Sequence, residues 1–530
     1  MSNSKSTSIS YSEVGLLSKL TRDYLDDKSN VSSLFNLKSS AENIPQVINE
    51  RQFSASKREV LVEVLKEQYG NLKSKKVFKN IEFLLHENTF TITTGHQLNL
   101  FTGPLYFIYK IVSAIKTAEE LNVKYPENTF VPVYWMATED HDFEEINHTY
   151  INGKKVQWNS NQTGMVGEFS LDGIEEAISQ FCSELGDSIA SNELRRIIEK
   201  AYLGSSNLAE ATRVLVHELF HSYGLVIIDG NHSKLKKLFV PVIEKELFER
   251  ASFKSVNETV ALFDELHKVQ VNPREINLFY VITGVRERII FEDGRFLVNN
   301  TEISFSRSEI EKEITDYPER FSPNVILRPV YQETILPNLV YIGGGAEVAY
   351  WLELKSTFDS FNVSYPLVQI RSSFLTLTGK SLARIEKLGL KLKDIYRNKE
   401  EIISEHVRLV NPFNEKMDVL LTNLKSEMSN ISQELMDFDS QLSQSIGVAD
   451  NAIEKSITRL RKKVNSSVKR DDEDFLNAIN ELYREVYPNG VYQERILNFF
   501  EFHVKFGNPY IDCIFKETVP FCRNFKVLSQ

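Results

Sequence analysis

The sequence predicts a parallel α/β sheet that carries two inserted segments and is followed by an antiparallel α-helical coiled-coil arm. Three observations lead there: five short β-branched runs, most of them apolar throughout, two interruptions in which strands alternate, and a long four-three apolar seam late in the chain. Strands covered on both faces are apolar throughout, whereas half-exposed strands alternate.

The five runs are Thr89 to Thr94, Phe130 to Met136, Leu225 to Asp229, Leu339 to Ile342 and Leu367 to Ile370, with helical segments between them. Strands alternating with helices make a parallel sheet. The interruptions run from about Asn147 to Leu171 (VQWN, VGEFSL) and from Asn277 to Phe305 (NLFYVITG, RIIFEDGRFLV, EISF), with a hairpin turn at Glu292-Asp293-Gly294. They are read as insertions at about 143–205 and 250–325 in a core spanning 1–380. Met417, Leu421, Leu424, Met428, Ile431, Leu435, Phe438 and Leu442 then form the seam of a coiled coil. Gly447 to Asn451 interrupts that seam before Ile453, Ile457, Leu460 and Val464 resume it, so residues 381–480 are expected to fold back as a hairpin. The last segment, 481–530, is rich in Phe, Tyr and Pro and is expected to pack on the core.

Composition narrows the function. The 530 residues suffice for about three or four structural units. Sixty-two Lys and Arg against 73 Asp and Glu leave a net charge of −11, which excludes a protein built to coat nucleic acid. Cys182, Cys513 and Cys522 are odd in number and lack CxxC spacing, so neither a disulfide framework nor a cysteine zinc site is indicated. The start, MSNSKSTSIS, has no apolar signal region, and no stretch nears the ~18 apolar residues that span a bilayer. A soluble, cytoplasmic protein with no membrane partner is the expectation.

Ligands of an open parallel sheet bind outside the carboxyl ends of its strands. After the first run come Thr94-Gly95-His96-Gln97, then Gly103, Pro104 and a helix from Leu105 to Leu121 that includes Tyr106. A glycine turn beside an imidazole can receive an anion such as phosphate, or be no more than a tight turn. The second run ends in Thr138-Glu139-Asp140-His141-Asp142-Phe143-Glu144-Glu145, whose carboxylates repel unless a cation, an amine or a proton is supplied. The fourth run enters Gly343-Gly344-Gly345-Ala346-Glu347 and a helix from Val348 to Leu354; three glycines allow close backbone approach to a ligand. Arg328 and Gln332 precede it, and Arg371 follows the fifth run; each arginine could clamp a carboxylate or phosphate.

Two further motifs are discounted. His217-Glu218-Leu219-Phe220-His221 matches HExxH, but the helix stops at Tyr223-Gly224 and spacing offers no third ligand. Thr378-Gly379-Lys380-Ser381 lacks the earlier glycine of a P-loop, where Phe374 stands.

TTGHQLNLFTGPLYFIYKIVSAI, VPVYWMATEDHDFEEINH, SPNVILRPVYQETILPNLVYIGGGAEVAYW and PNGVYQERILNFFEF, in this order across nearly the whole chain, resemble the BshC family, the cysteine-adding enzymes of bacillithiol biosynthesis. The resemblance implies a Rossmann-like core related in shape to class I aminoacyl-tRNA synthetases, two connecting insertions, and a coiled coil that helps form a homodimer. It also implies joining of cysteine to glucosaminyl malate. The family commonly has Gln where His96 stands and GGPGE where this chain has GGGAE, a change that keeps the turn and its glutamate.

Amide formation from a carboxylate is uphill in water, so activation through ATP is expected; the sequence names no metal. Thr94, Gly95, Gly103 and Gly343 to Gly345 are the candidates for phosphates or the activated carboxyl. Glu139, Asp140 and Asp142 are candidates for ammonium groups, and one of them, or His141, for the base. His96 and Arg371 are candidates to stabilise developing negative charge, and Gln97, Tyr106, Arg328, Gln332 and Glu347 to bind substrate. Acyl or nucleotidyl transfer to another amine, a zinc peptidase and a coiled-coil scaffold are the competing classes.

Overall fold

A computed structural model describes residues 6–263 and 267–529; Met1–Lys5 of the polar start lie outside them. The chain divides into two compact units, one of residues 1–376 with 491–528 and one of residues 377–490.

The first unit is built on five parallel strands: β1 (Thr89–His96), β2 (Thr129–Met136), β3 (Val226–Asp229), β4 (Asn338–Gly343) and β5 (Leu367–Ile370). Their order across the sheet is β5-β4-β1-β2-β3. Every residue of β1 and β4 is buried, as the unbroken apolar runs predict. The order reverses at β1 and β4, so their carboxyl ends flank the crevice where such a sheet binds ligands.

Helix α1 (Tyr106–Lys124) follows β1 and lays Ala114, Ala118 and Leu121 on a cluster with Phe90, Ile92, Phe130, Val340, Ile342 and Leu367. Each large side chain so buried contributes about 1.5–3 kcal/mol. Within this layer Thr93 and Thr91 hydroxyls donate to the Asn338 carbonyl at 2.8 and 3.2 Å, satisfying a buried amide that locks β1 to β4.

The first insertion opens with a hairpin, His148–Ile151 against Lys154–Gln157, turning at Asn152 and Gly153, both with positive φ. VGEFSL does not form a strand as expected. Val166–Glu168 is a 3-10 turn, because Gly167 bonds the Thr138 carbonyl at 3.0 Å and sits where an added Cβ would come 2.7 Å from Thr138. Three helices follow, the last being α2 (Leu208–Phe220). The second insertion forms an antiparallel sheet of Ser304–Phe305, Arg295–Val298, Val285–Glu292, Leu278–Ile282 and Phe321–Pro323, in that order. Its tight turn is at Asp293-Gly294, with φ of 49° and 77°.

Helix α3 runs Gly345–Glu353, three residues earlier than expected. Residues 491–528 lie in the first unit, where Asn524–Ser529 pairs with Ser6–Ser10.

In the second unit, α4 (Asn414–Phe438) and α5 (Ser443–Asp471) form the antiparallel hairpin. Lys425 pairs with Glu454 at 3.1 Å and Asp418 with Arg461 at 2.5 Å, register pairs that straddle a turn centred on Asp439-Ser440. The turn is therefore at Asp439–Leu442 and not at Gly447–Asn451. Asp439 is extended and its carboxylate accepts the Gln441 N–H, whereas Gly447 is carried inside α5 at about 1 kcal/mol. Thr378 caps the helix Gly379–Lys387, and Glu485 takes the Thr378 N–H at 2.8 Å and the Ser381 hydroxyl, so this segment serves as a helix cap. No described helix is long and apolar enough to cross a membrane.

Candidate active site

A cavity of about 900 Å³ opens at the carboxyl ends of β1, β2 and β4. Gly95, His96, Gln97, Tyr106, Glu139, Asp140, His141, Arg328, Gly344, Gly345, Glu347 and Arg371 all line it. Segments more than two hundred residues apart therefore meet at one hollow.

The acidic loop relieves its own repulsion by dividing its partners. Glu139 reaches the buried Lys236 ammonium at 2.5 Å. Asp140 accepts Gln97 Nε2 at 2.8 Å and the His141 N–H at 2.8 Å. Burial alone would raise the Asp140 carboxyl, but His141, Gln97 and the nearby Arg286 charge hold it well below the usual carboxylate range. Asp140 is thus ionised at neutral pH, suited to an ammonium. Arg286 donates to His141 Nδ1 at 2.9 Å, which leaves the proton of a neutral His141 on Nε2. Asp142 is exposed and does not line the cavity, because the chain turns there into the short helix Phe143–Ile146.

His96 stacks on Phe107 with ring centroids 5.0 Å apart and meets Tyr106 edge-on at 5.1 Å. Its buried Nε2 has no hydrogen-bond partner among the described residues. Burial, reinforced by Lys110 and Arg371, pushes its pKa well below that of an ordinary imidazole. A neutral ring results, able to give or take one hydrogen bond without carrying charge.

Gly95 and His96 lie inside β1, in register with Trp135 and Met136, and not in a turn after it as expected, so the glycines differ in what they offer. An added Cβ at Gly95 would lie 3.6 Å from Arg328 and from the Tyr341 hydroxyl, so the absent side chain leaves open space beside a guanidinium. Arg328 donates to Tyr350 at 2.9 Å and to Gln332 at 3.2 Å, and no carboxylate pairs with it among the described residues. Glu347 is saturated by Lys110 at 2.6 Å, the Tyr341 hydroxyl at 2.6 Å and the Gly344 N–H at 2.9 Å, the last capping α3.

Arg371 is not the free clamp its position predicts. Its two terminal nitrogens hold Glu494 at 2.9 and 2.6 Å, and its Nε, facing Gly344, has no partner among the described residues. Four other candidates lie behind the wall. Thr94 bonds the Ile342 carbonyl at 2.8 Å, and Gln332 is buried beneath Arg328. The Gly343 carbonyl accepts the Arg371 N–H at 2.8 Å. Gly103 is a tight turn of φ 60° folded onto Asn99, and the Gly103 carbonyl accepts Asn498 Nδ2 at 3.0 Å.

The HExxH residues lie elsewhere, at the end of α2. His217 stacks on His221 at 5.1 Å and Glu218 pairs with Lys200 at 2.6 Å. Among the described residues no group of three or more His, Cys, Asp or Glu could hold a metal ion.

A family model described as Bacillithiol biosynthesis BshC, N-terminal Rossmann-like domain, matches residues 5–372, and its companion, the C-terminal coiled-coil domain, matches residues 374–530. The chain belongs to the BshC family. Within that family, a Flavobacterium johnsoniae protein named "Putative cysteine ligase BshC" is 45% identical over 528 residues, covering 98% of this chain and 99% of its own. A Cytophaga hutchinsonii protein of the same name is 40% identical over 492 residues, covering 92% of each chain. A Bacillus thuringiensis protein, also of that name, is 28% identical over 522 residues, covering 94% and 95%. A solved structure titled as a "putative arginyl t-RNA synthetase" from Campylobacter jejuni covers 88% of this chain and 98% of its own at 10% identity and a TM-score of 0.21, a likeness too slight to carry an argument.

The BshC cavity contains cations that sequence reasoning missed. Lys110, Arg274, Arg286, Arg288 and Arg495 join Arg328 and Arg371 on its wall, against the carboxylates Glu139, Asp140 and Glu347. In a chain of net charge −11 this one hollow is electropositive. Lys110 had a signal, as a lone cation amid YFIYKIVSAI, and so did Arg286 and Arg288, two apart and hence on one face of a strand. Arg274 and Arg495 stand in irregular or 3-10 segments with no pattern around them.

Proposed function

We propose that this BshC-family protein is a cysteine ligase of bacillithiol biosynthesis, joining the carboxyl of cysteine to the amine of glucosaminyl malate with ATP as the activating substrate. The observation that carries this is an electropositive cavity at the switch of strand order, with one ionised carboxylate held among its cations. Phosphates and carboxylates suit the cations; an ammonium or amine suits Asp140. A volume of about 900 Å³ is in the range that accommodates ligands of this size.

A cysteine carboxylate oxygen attacks a phosphorus of ATP, and the phosphoanhydride bond breaks to release pyrophosphate or ADP. The sugar amine then attacks the acyl carbon, the acyl C–O bond breaks, and AMP or phosphate leaves with the electron pair. The amine nitrogen loses one proton as the amide forms. Arg328 and the open backbone at Gly95 and Gly344 would hold the phosphates. His96 Nε2 would donate to the oxyanion, and Asp140 would orient the amine and draw off its proton. Its low basicity makes it a weak acceptor, offset by its position.

The seam of the arm is left open toward its tip, where Ile431 and Phe438 are 49% and 86% exposed. A second copy of the chain is the proposed partner there.

Purified protein incubated with cysteine, glucosaminyl malate and ATP should give bacillithiol by mass spectrometry. Asp140→Asn should lower the rate by at least about 100-fold, the usual contribution of a positioned proton acceptor. Undiminished turnover would remove Asp140 from the mechanism.

A further inference from the structure

Two carboxyl groups away from the chemistry, Glu353 and Glu246, are fully buried and pair with no cation among the described residues. Glu353, at the end of α3, accepts the N–H groups of Gln270 at 2.7 Å and Val271 at 3.1 Å. Burial pushes its carboxyl up to about 7, with only those two N–H groups pulling it down. Glu246, in the helix Val240–Glu249, accepts the Asn277 N–H at 2.8 Å, and the Ser252 N–H and hydroxyl at 3.0 and 2.7 Å. Burying a carboxylate without a cation costs several kcal/mol, so replacement by an apolar residue would ordinarily be favoured unless the hydrogen bonds do something else.

They hold one strap at both ends. Residues 270–277 contain no helix or strand, and Pro273 stiffens their middle. Asn277 ties the strap to itself: its side chain accepts the Arg274 N–H at 3.1 Å, donates to the Arg274 carbonyl at 2.8 Å, and accepts Asn324 Nδ2 at 2.8 Å. Between the anchors Asn272 and Arg274 are exposed, and both line the cavity. An irregular segment fixed by two buried carboxyl groups thus presents a guanidinium to the ligand space.

We infer that Glu353 and Glu246 are positioning residues, which clamp the 270–277 strap so that Arg274 meets an anionic group of the ligand in the cavity. This rests on the cavity being the substrate site, as proposed above. Loss of either clamp leaves the reacting groups in place and frees Arg274 to wander, so it weakens ground-state binding and spares the chemical step.

The test uses the full-length protein with Glu353→Gln, Arg274→Ala and the two combined, varying each substrate in turn. Glu353→Gln and Arg274→Ala should each raise the KM of the same substrate about tenfold, the loss of one charge-assisted hydrogen bond, with kcat within about twofold. The double variant should be no worse than Arg274→Ala alone. A merely structural Glu353 would lower kcat with the folded fraction and would multiply its effect onto Arg274→Ala; either result overturns the proposal. Asn277→Ala, cutting the other anchor, is read by the same comparison should Glu353→Gln fail to fold. If the unaltered protein makes no amide, the ligase reading fails and the strap is still decided: inorganic pyrophosphate, followed by Trp135 fluorescence, should bind about tenfold more weakly to Glu353→Gln, and no more weakly to the double variant than to Arg274→Ala. Equal affinity for all four proteins would overturn it.

Discussion

The ammonium of Lys110 lies 2.6 Å from the Glu347 carboxylate and also donates to the carbonyl of Gly95. One buried side chain from α1 thereby ties the end of β1 to the first turn of α3, both on the cavity wall. Lys110→Met should destabilise the protein by about 3–5 kcal/mol in urea unfolding, because it strands a largely buried carboxylate. Adding Glu347→Gln should recover part of the loss, and a double variant no more stable than Lys110→Met would show that the two do not act as a pair.

Gly95 and Gly343 should respond in opposite ways to one methyl group. At Gly95 an added Cβ meets nothing closer than 3.6 Å, so Gly95→Ala should fold normally while weakening phosphate or carboxylate binding beside Arg328. At Gly343 the Cβ would come 2.9 Å from the Cβ of Glu347, so Gly343→Ala should cost about 1–3 kcal/mol in stability. Unfolding midpoints and titration calorimetry separate the two; equal destabilisation would contradict this account of the two glycines.

His96 gives stability a pH dependence of known sign. Its imidazole is held well below the ordinary value by burial, then by Lys110 and Arg371, so the unfolded chain binds a proton in a range where the folded chain does not. Its contribution is complete above about pH 6.5 and is lost as the pH falls below that. His96→Gln removes the titration, so it should lose less stability than the unaltered protein between about pH 7 and about pH 5. Parallel losses would show that His96 is protonated in the fold.

The arm predicts association. Ile431→Lys with Leu435→Lys places charge on a seam whose residues are 49% and 38% exposed. Analytical ultracentrifugation should show a dimer for the unaltered chain and a monomer for the variant. An unaltered monomer would mean that the exposed seam is not covered by a second copy.

The five core strands and the glycine turn after β4 could be read from the sequence because strands buried on two faces are rich in apolar and β-branched residues. The turn expected at Gly95 was misplaced, since Gly95 and His96 extend β1 by pairing with Trp135 and Met136. What escaped depends on contacts that sequence spacing does not encode. Arg371 looked free until Glu494, 123 residues later, proved to hold its fork. Gly167 belongs to a turn and not a strand because Thr138 lies against it. The hairpin turn follows the Asp439 cap, a local signal outweighed in the sequence by the more conspicuous Gly447. The cavity's positive character was hidden because Arg286 and Arg288, legible as one strand face, and Arg274, in an irregular segment, come from the second insertion, whose sequence does not say which wall it will form.

The account turns on a cysteine carboxylate becoming bonded to phosphorus before it meets the amine. Cysteine labelled with ¹⁸O in both carboxyl oxygens, incubated with glucosaminyl malate and ATP, should pass one label to the released AMP or phosphate and keep the other in the amide. Product amide accompanied by unlabelled AMP and phosphate would contradict activation through ATP.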